Sequence, residues 1–373
     1  MFRFIHSSDL HLGKRFGNFS GDLPSRLREA RHAVLSRLAQ HAREQGVTTI
    51  LLAGDTFDTE TPAPDVRRQA LAEMRRHAPI RWVILPGNHD SLQATQLWGA
   101  LKTESPENVL LAVDARPLAL AEGVFLLPAP CTTRRPGRDL TEWMDKEATP
   151  EGAIRIGLAH GPIQSFSEDS AATDVIAPDR ARRAGLDYMA LGDWHGALEI
   201  DARTRYSGAP EPDRFKHDRA GEALLVSIAE RSALPQAAPF GTATFSWRNL
   251  NLHLLDGDDP ASTLAALLPD ENRRNILARV EATGRADLAR RAALGGGIAG
   301  AAPDFAFLEL DDSRLRVDCD VQDLDQIDRA GALREAADRL FADANDQNRS
   351  SEERDISRSA LARLYAYAQQ VAR

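Results

Sequence analysis

The stretch Thr49-Ile-Leu-Leu-Ala-Gly-Asp-Thr-Phe-Asp58 sets an apolar run directly before a glycine and two carboxylates. Short apolar runs that stop at turn-forming residues are typical of buried strands. The glycine allows a sharp turn and a close approach of the backbone to a ligand. We therefore predict a buried strand over Thr49–Ala53 whose carboxyl end presents Asp55 and Asp58.

The same arrangement recurs at four other apolar runs. Each is followed by residues with metal-binding or acid–base side chains: Asp9 and His11 after Phe2–Ile5, Asn88 and His89 after Arg81–Leu85, His160 after Ile156–Ala159, and Asp193 and His195 after Tyr188–Leu191. In α/β sheets, ligands bind at the carboxyl ends of the strands. We expect the five strand ends to bring these side chains to one edge.

Amphipathic segments lie between the apolar runs. In the segment Ser25–Gln45, leucines and valines fall near helical spacing, Ser25 is predicted to cap the helix, and Gly46 is predicted to end it. Strands and helices in alternation predict a layered α/β domain over residues 1–215.

The sequence changes character after Phe215. Residues 229–247 are rich in Ala, Pro and Ser, and the segment 216–247 is predicted to form a connector. A second alternation predicts a small α+β domain over 248–325, with Gly295–Gly300 as a flexible loop. Two helical patterns predict a C-terminal helical segment over 326–373.

The types of the strand-end residues point to metal chemistry. A mixture of carboxylate, amide oxygen and imidazole without thiolate suits manganese, iron, zinc or magnesium. The candidates are too many for one ion, and a shared carboxylate would let two ions lie about 3.5–4 Å apart around a phosphoryl group. Asp55 is the natural bridge between two such ions.

The order of these motifs resembles that of the calcineurin-like metallophosphoesterase superfamily. The motifs are Asp-x-His, Gly-Asp-x-x-Asp, Gly-Asn-His-Asp, an isolated His and Gly-x-x-His, and they span residues 9–195. Three phrases are similar to the SbcD-type DNA-repair exonucleases: Phe4-Ile-His-Ser-Ser-Asp-Leu-His-Leu-Gly13, Ala53-Gly-Asp-Thr-Phe-Asp58 and Tyr206-Ser-Gly-Ala-Pro-Glu-Pro212. The resemblance implies a four-layer β-sandwich flanked by helices, a smaller α+β cap and C-terminal helices.

The resemblance also implies a role for each motif residue. One metal ion would be held by Asp9, His11, Asp55 and His195, and the other by Asp55, Asn88, His160 and Asp193. His89 matches the acid that protonates the leaving oxygen, and Asp58 matches the carboxylate that orients it. A histidine titrates near neutral pH, and a carboxylate on its other nitrogen fixes the tautomer, so this pairing suits proton donation.

One position departs from the family pattern. The family usually has Gly-His-x-His, whereas this chain has Gly192-Asp-Trp-His195. Aspartate can ligate the same ion but adds negative charge and prefers harder cations. The departure therefore either shifts the metal preference toward manganese or magnesium or weakens the second site.

Composition bounds the class of protein. In the 373 residues, 46 basic against 55 acidic side chains leave a net charge of −9. That balance argues against coating nucleic acid by bulk charge, but it allows a local basic patch or an anion held through metal. The two cysteines, Cys131 and Cys319, exclude a disulfide scaffold and fit a reducing cytoplasm. No apolar stretch predicts a membrane helix, and the N-terminus turns polar too early for a signal peptide.

Three further features bear on partners. The loop Arg134-Arg-Pro-Gly-Arg138 could touch a phosphate backbone or could be solvated. The apolar stripe Leu361, Leu364, Tyr365 and Ala368 in the last helix either packs on the chain's own cap domain or, as the SbcD resemblance implies, docks on the coiled coil of an SMC-like ATPase. The resemblance also suggests a homodimer through helices near residues 61–102.

Three functions stay open at the level of sequence. The leading hypothesis is a metal-dependent DNA nuclease of the repair type, acting on DNA with two divalent ions, chiefly Mn²⁺. The second is a phosphodiesterase for small molecules or nucleotides on the same scaffold, which the acidic pI of about 5.6 mildly favours. The third is a binding subunit with a degenerate site, motivated by Asp193 alone.

Overall fold

The computed structural model describes residues 1–163, 175–216, 220–255, 257–318 and 321–371. The backbone divides into two compact units, Met1–Ser246 and Trp247–Arg373. Cys319 lies outside the described residues.

Fifteen strands lie within the described residues. In chain order they are β1 Phe2–Ser7, β2 Thr49–Leu52, β3 Arg81–Ile84, β4 Val109–Leu111, β5 Leu118–Ala121, β6 Val124–Ala129, β7 Ile154–His160, β8 Tyr188–Gly192, β9 Leu198–Glu199, β10 Thr204–Tyr206, β11 Glu222–Ile228, β12 Gln236–Gly241, β13 Ser246–Leu254, β14 Ile276–Asp287 and β15 Phe307–Asp318. Five of the strands are those expected before the polar motifs, so the apolar runs were a sufficient signal for them.

Nine α-helices lie within the same residues. They are α1 Leu23–Glu44, α2 Pro64–Arg76, α3 Thr95–Glu104, α4 Arg180–Arg183, α5 Pro260–Leu267, α6 Leu288–Ala301, α7 Val321–Asp325, α8 Ala332–Asn345 and α9 Ser351–Val371. None of them is long and apolar enough to cross a membrane.

Helix α1 begins earlier than predicted. Its first residue is Leu23 and its N-cap is Asp22, whereas Ser25 was expected to be the cap. Pro24 explains the difference, because a proline is favoured in the first turn, where its missing N–H costs nothing. Gly46 follows the helix with φ +64°, a conformation that glycine adopts without strain, as its expected role requires.

The first unit contains two six-stranded sheets. The first has the order β12-β11-β1-β2-β3-β4, and the second has the order β5-β6-β7-β8-β10-β9. The strands β1 to β4 are mutually parallel, as are β6, β7, β8 and β10. Their carboxyl ends therefore lie at one edge of each sheet.

The two sheets pack face to face with helices on their outer sides. Alternation along β2 shows the layering, because Ile50 and Leu52 join the cluster under α1, α2 and α3. Leu51 and Ala53 face the other way, into the cluster shared with Ile156 of the second sheet. On the far side of the second sheet, Met189 packs with Met144 and Ala181. The predicted four-layer α/β fold is confirmed.

The segment 216–247 corrects the expected connector. Its residues form β11 and β12, and β11 pairs antiparallel with β1 at the register Phe2↔Ile228. Leu224, Val226 and Ile228 alternate into the buried core, whereas β12 lies at the edge of the sheet and contains Pro239. The proline is tolerated because an edge strand needs fewer ladder hydrogen bonds. The Ala, Pro and Ser residues around β12 gave no sign that this segment forms a strand.

The second unit is built on the three-stranded sheet β13-β14-β15, with β14 parallel to β15. The expected flexible loop Gly295–Gly300 is instead part of α6. A Cβ at Gly297 would lie 2.9 Å from Leu264 Cδ2 of α5, so the small residue lets the two helices approach closely. The helices α8 and α9 pack on Leu288 of α6 through Ala337, Leu361 and Tyr365.

Candidate metal centre

The carboxyl ends of β1, β2, β3, β7 and β8 carry all the residues that the motifs single out. The structure brings together nine side chains from these five ends: Asp9, His11, Asp55, Asp58, Asn88, His89, His160, Asp193 and His195. The contact across the two sheets is direct, because the loops after β1 and β2 meet the residues that follow β7 and β8.

The first group of ligand-type atoms centres on Asp9. Its Oδ1 lies 4.0 Å from Nε2 of His11 and 4.0 Å from Nε2 of His195. The two imidazole Nε2 atoms are 3.3 Å apart. One ligand atom from each of the three residues falls within 4.8 Å of the others, which suits a shared cation.

The second group centres on Asp55 and His160. Oδ2 of Asp55 lies 3.4 Å from Nε2 of His160 and 3.8 Å from Nε2 of His11. Oδ1 of Asp193 lies 3.7 Å from Nε2 of His160. The same Asp55 oxygen therefore lies between the two groups, as a bridging carboxylate would.

Several buried atoms at the centre have no hydrogen-bond partner among the described residues, and two of them belong to the proposed second ligand set. These two are Nε2 of His160 and Oδ1 of Asn88. The opposite atom of each side chain is satisfied: Nδ1 of His160 donates to the carbonyl of Ala53 at 2.8 Å, and Nδ2 of Asn88 donates to Asp193 at 2.9 Å. A buried polar atom without a partner is costly, and a divalent ion is a suitable partner for both atoms. The residues present fit a metal centre.

The electrostatics favour a cation as well. Burial lowers the pKa of His160, but Asp55, Asp9 and Asp193 outweigh it and hold the pKa well above its usual value. Burial raises the pKa of Asp193, and the charges of Asp9 and Asp55 raise it further. Each shift expresses the same fact, which is that the carboxylates crowd negative charge into a buried space.

The backbone at the site adopts unusual conformations. Asp9, His11, Asp55 and Asp193 have φ of 55°, 44°, 52° and 104°. Residues other than glycine rarely occupy that region, and such strain persists only where the surroundings enforce it. Here the loop after β1 is bonded to the loop after β2, because the N–H of His11 donates to the carbonyl of Asp55 at 2.9 Å.

Two glycines leave room for the ligands. A Cβ at Gly87 would lie 2.1 Å from Oδ1 of Asp55, and one at Gly54 would lie 2.3 Å from Nδ1 of His160. Both distances are too short for any side chain. The glycines that precede these motifs are therefore required by the close approach of the ligand side chains.

The structure corrects the expected pairing of His89 with Asp58. Nδ1 of His89 lies 3.0 Å from the backbone carbonyl of Asp58, not from its carboxylate. The carboxylate lies instead 3.4 Å from Nδ1 of His11. The backbone N–H of His89 donates to Oδ1 of Asp55 at 2.9 Å, which fixes this residue beside the Asp55 carboxylate. A carbonyl orients the imidazole as a carboxylate would, because it accepts the Nδ1 hydrogen.

Asp90 is a buried neighbour of the site to which the sequence motifs gave no role. It is fully buried and accepts hydrogen bonds from the backbone N–H groups of Gly87 at 2.7 Å and Phe57 at 3.0 Å. Burial raises the pKa of Asp90 to about 7, and the charge of Asp55 adds to the rise. The only sequence feature that could have pointed to Asp90 is its position as the last residue of the Gly-Asn-His-Asp motif. Asp90 ties the loop after β2 to the loop after β3.

Asp213 is a second residue to which no role was given. Its Oδ1 lies 3.3 Å from Nδ1 of His195, and its Oδ2 accepts a hydrogen bond from Lys14 at 2.5 Å. Asp213 directly follows the phrase Tyr206–Pro212, which contributes to the family resemblance. That phrase by itself does not predict that Asp213 contacts the site.

Comparisons with known proteins agree with this geometry. Residues 2–197 match the sequence profile described as calcineurin-like phosphoesterase. The chain is similar to the SbcD subunit of the nuclease SbcCD of Escherichia coli strain K12, with 27% identity over 266 residues, which are 61% of this chain and 64% of that protein. It is also similar to the uncharacterised metallophosphoesterase YhaO of Bacillus subtilis strain 168, with 29% identity over 220 residues, covering 53% of this chain and 50% of that one.

The chain thus spans a little under two thirds of the length of the first of these curated relatives and half of the second. Among solved structures, a dimetal phosphatase from Danio rerio aligns with a TM-score of 0.39 at 11% identity, covering 63% of this chain and 98% of that one.

Proposed function

The chain belongs to the calcineurin-like phosphoesterase family, and from that membership we propose that it is a metal-dependent nuclease that hydrolyses phosphodiester bonds in DNA. One observation carries the proposal. Ligand-type atoms from five strand ends converge on a buried space in which Oδ2 of Asp55 lies between Nε2 of His11 and Nε2 of His160. Such a bridge is the arrangement that two-metal phosphoryl chemistry requires.

The proposed ligand sets are those that the family resemblance implies, and the two groups of neighbouring side chains support them. Asp9, His11, Asp55 and His195 would hold one divalent ion. The second would be held by Asp55 together with Asn88, His160 and Asp193. When bound, two such ions lower the pKa of a water molecule and neutralise charge on a phosphoryl group. Asp193 gives the second set an extra carboxylate, and the proposed ions are therefore manganese or magnesium in preference to zinc.

His89 is the proposed acid for the leaving oxygen. The carbonyl of Asp58 takes its Nδ1 hydrogen, which leaves Nε2 to carry the proton that is delivered. The backbone N–H of His89 is bonded to Asp55, so the imidazole stays at a fixed place beside the bridging ligand. Fixed geometry of this kind is what makes a proton donor effective.

DNA is the proposed substrate because one relative is named as a subunit of a nuclease. We extend the proposal to a partner as well. The predicted docking stripe packs instead on the chain itself, where Leu361 and Tyr365 are buried with Leu288. The proposed surface for an ATPase subunit is therefore the outer face of α9, which exposes Ile356 and Tyr367 with 63% and 64% of their surface accessible. The homodimer through residues 61–102 and the cytoplasmic location stay predictions.

A second candidate is hydrolysis of a small diester, such as a cyclic nucleotide. The net charge of −9 favours it, because a long polyanion is repelled by an acidic chain more than a small one is. The metal centre would serve either substrate.

The test is a metal-rescue assay on the purified full chain after treatment with a chelator. Linear double-stranded DNA, single-stranded DNA, a cyclic nucleotide and bis(p-nitrophenyl) phosphate are offered with manganese, with magnesium or with neither. Metal-dependent cleavage of DNA, lost in Asp55→Ala, supports the proposal. Intact DNA with hydrolysis of the small diesters would move the function to the second candidate.

A further inference from the structure

We propose that the segment Thr132–Asp139, here called the arginine loop, binds phosphates of the DNA strand whose scissile bond reaches the metal centre. The inference rests on the proposed nuclease function. It adds to that function a surface that recognises a long polyanion, which the metal centre by itself does not provide.

The loop begins at the metal centre. It follows β6, whose carboxyl end lies at the same edge as those of its parallel neighbours β7 and β8. The N–H of Cys131 donates to the carbonyl of Pro86 at 3.1 Å, just before the Gly-Asn-His-Asp segment. The Cys131 Sγ lies 3.4 Å from the carbonyl of His160. The loop is therefore anchored to two of the segments that carry site residues.

The other end of the loop is fixed by Asp139. Its carboxylate accepts hydrogen bonds from the N–H of Thr141 at 2.8 Å, the N–H of Ala177 at 3.1 Å and the guanidinium of Arg180 at 2.7 Å. With both ends held, little conformational entropy is left to lose when a ligand binds the middle of the loop.

The middle of the loop presents three exposed arginines, Arg134, Arg135 and Arg138. Within the described part of the chain, none of their guanidiniums makes an ion pair or a hydrogen bond. Arg180 and Arg183 on the nearby α4 differ, because both pair with Asp145. The loop arginines are therefore available to an external anion.

The reach from the anchor is short. Arg134 follows Cys131 by three residues, so the two Cα atoms are within about 11 Å of each other. The arginine side chain adds its own length to the distance that the backbone covers. Its planar guanidinium can bond two phosphate oxygens at once. In a chain with net charge −9, attraction of DNA has to come from such a local group of cations.

Charge removal tests the loop. Binding of a fluorescent duplex with uncleavable phosphorothioate linkages to the full chain is measured by anisotropy over a range of salt concentrations. For the triple variant Arg134→Gln, Arg135→Gln, Arg138→Gln we expect affinity to fall by about tenfold or more at low salt. The slope of log affinity against log salt should shrink by about 3, one for each phosphate that the variant no longer binds.

Two further variants separate contact from bulk charge. Replacing the same three arginines with lysine keeps the charge and should restore most of the salt slope. The control removes three exposed arginines elsewhere, through Arg116→Gln, Arg329→Gln and Arg339→Gln, and should bind almost as tightly as the unmodified chain.

An equal fall in affinity in the control and loop variants would overturn the loop proposal, as would unchanged binding by the loop variant. Either result leaves the nuclease proposal standing, because that proposal is judged by cleavage of DNA by the unmodified chain. If the unmodified chain cleaves DNA but the loop variant binds normally, only the loop assignment fails.

Discussion

Asp213 holds His195 from outside the metal centre: its Oδ1 lies 3.3 Å from Nδ1 of the imidazole. Burial alone would raise the pKa of Asp213, but the contacts with His195, Arg31 and Lys14 outweigh it and hold the pKa well below its usual range. The carboxylate is therefore ionised at any ordinary pH and accepts the Nδ1 hydrogen. That leaves Nε2 of His195 with its lone pair toward Asp9 and His11, as a metal ligand requires.

Asp213→Asn should weaken binding of the ion proposed to be held by Asp9, His11, Asp55 and His195 by about 10- to 100-fold, because the imidazole loses its orienting carboxylate. Metal titration monitored by calorimetry measures the change. The control is Glu211→Gln. Glu211 is also buried and only two residues away, but it bonds Arg37 and the N–H groups of Thr244 and Phe245. The control should lower thermal stability without changing metal affinity, and a similar fall in affinity in both variants would contradict the assigned role.

His89→Ala should retain both ions but reduce the rate of DNA cleavage by about 10²- to 10⁴-fold, the usual contribution of a positioned acid. The leaving group offers a sharper readout. A sugar alkoxide needs a proton as it departs, whereas p-nitrophenolate does not, so the same variant should hydrolyse bis(p-nitrophenyl) phosphate with a much smaller reduction in rate. Equal reductions on the two substrates would show that His89 acts on something other than the leaving oxygen.

Gly87→Ala should disrupt the centre, since the added Cβ would fall 2.1 Å from Oδ1 of Asp55 and the bridging carboxylate would have to move. We expect fewer than two ions per chain by elemental analysis, together with a lower melting temperature. Gly99→Ala is the matched control. Gly99 lies on an exposed face of α3, where a new Cβ meets nothing within 4 Å. That control should stabilise the helix by about 1 kcal/mol and leave the metal content unchanged.

The strand ends of the site could be predicted because each is a local signal, an apolar run followed at once by a polar ligand. Asp55 and His160 are far apart in the chain, yet each is marked by its own neighbours, and the parallel strands bring them together. Asp213 carried no such signal. It approaches His195 because the chain folds back after this residue, with the N–H of Ala209 donating to the His195 carbonyl at 2.9 Å. The sequence gives no local pattern from which that reversal of the chain could be predicted.

Two of the errors of fold, the connector and the glycine loop, have a related cause. β12 is a largely exposed edge strand, so its residues do not show the apolar run that marked the inner strands. In α6, the glycines predict a loop by their intrinsic preference. Packing overrides that preference, because Leu294 and Ile298 are buried on either side of the close contact between Gly297 and Leu264. Intrinsic secondary-structure preference and hydrophobic periodicity are properties of one segment by itself. The structure of β12 and of α6 depends instead on the neighbouring elements against which they pack.

Asp193→His tests whether the departure from the family pattern sets the metal preference. In this chain the Asp193 carboxylate accepts a hydrogen bond from Nδ2 of Asn88 at 2.9 Å, so that the Asn88 oxygen is turned into the buried space. An imidazole would remove one negative charge from the second ligand set and supply a softer donor. The ratio of zinc to manganese affinity should therefore rise by roughly tenfold or more in the variant. Competitive metal titration of the full chain measures that ratio, with Asp114→His, at an exposed carboxylate far along the chain, as the control. An unchanged ratio would mean that Asp193 is not a ligand and that the second ion, if held at all, is bound by Asp55, Asn88 and His160 alone.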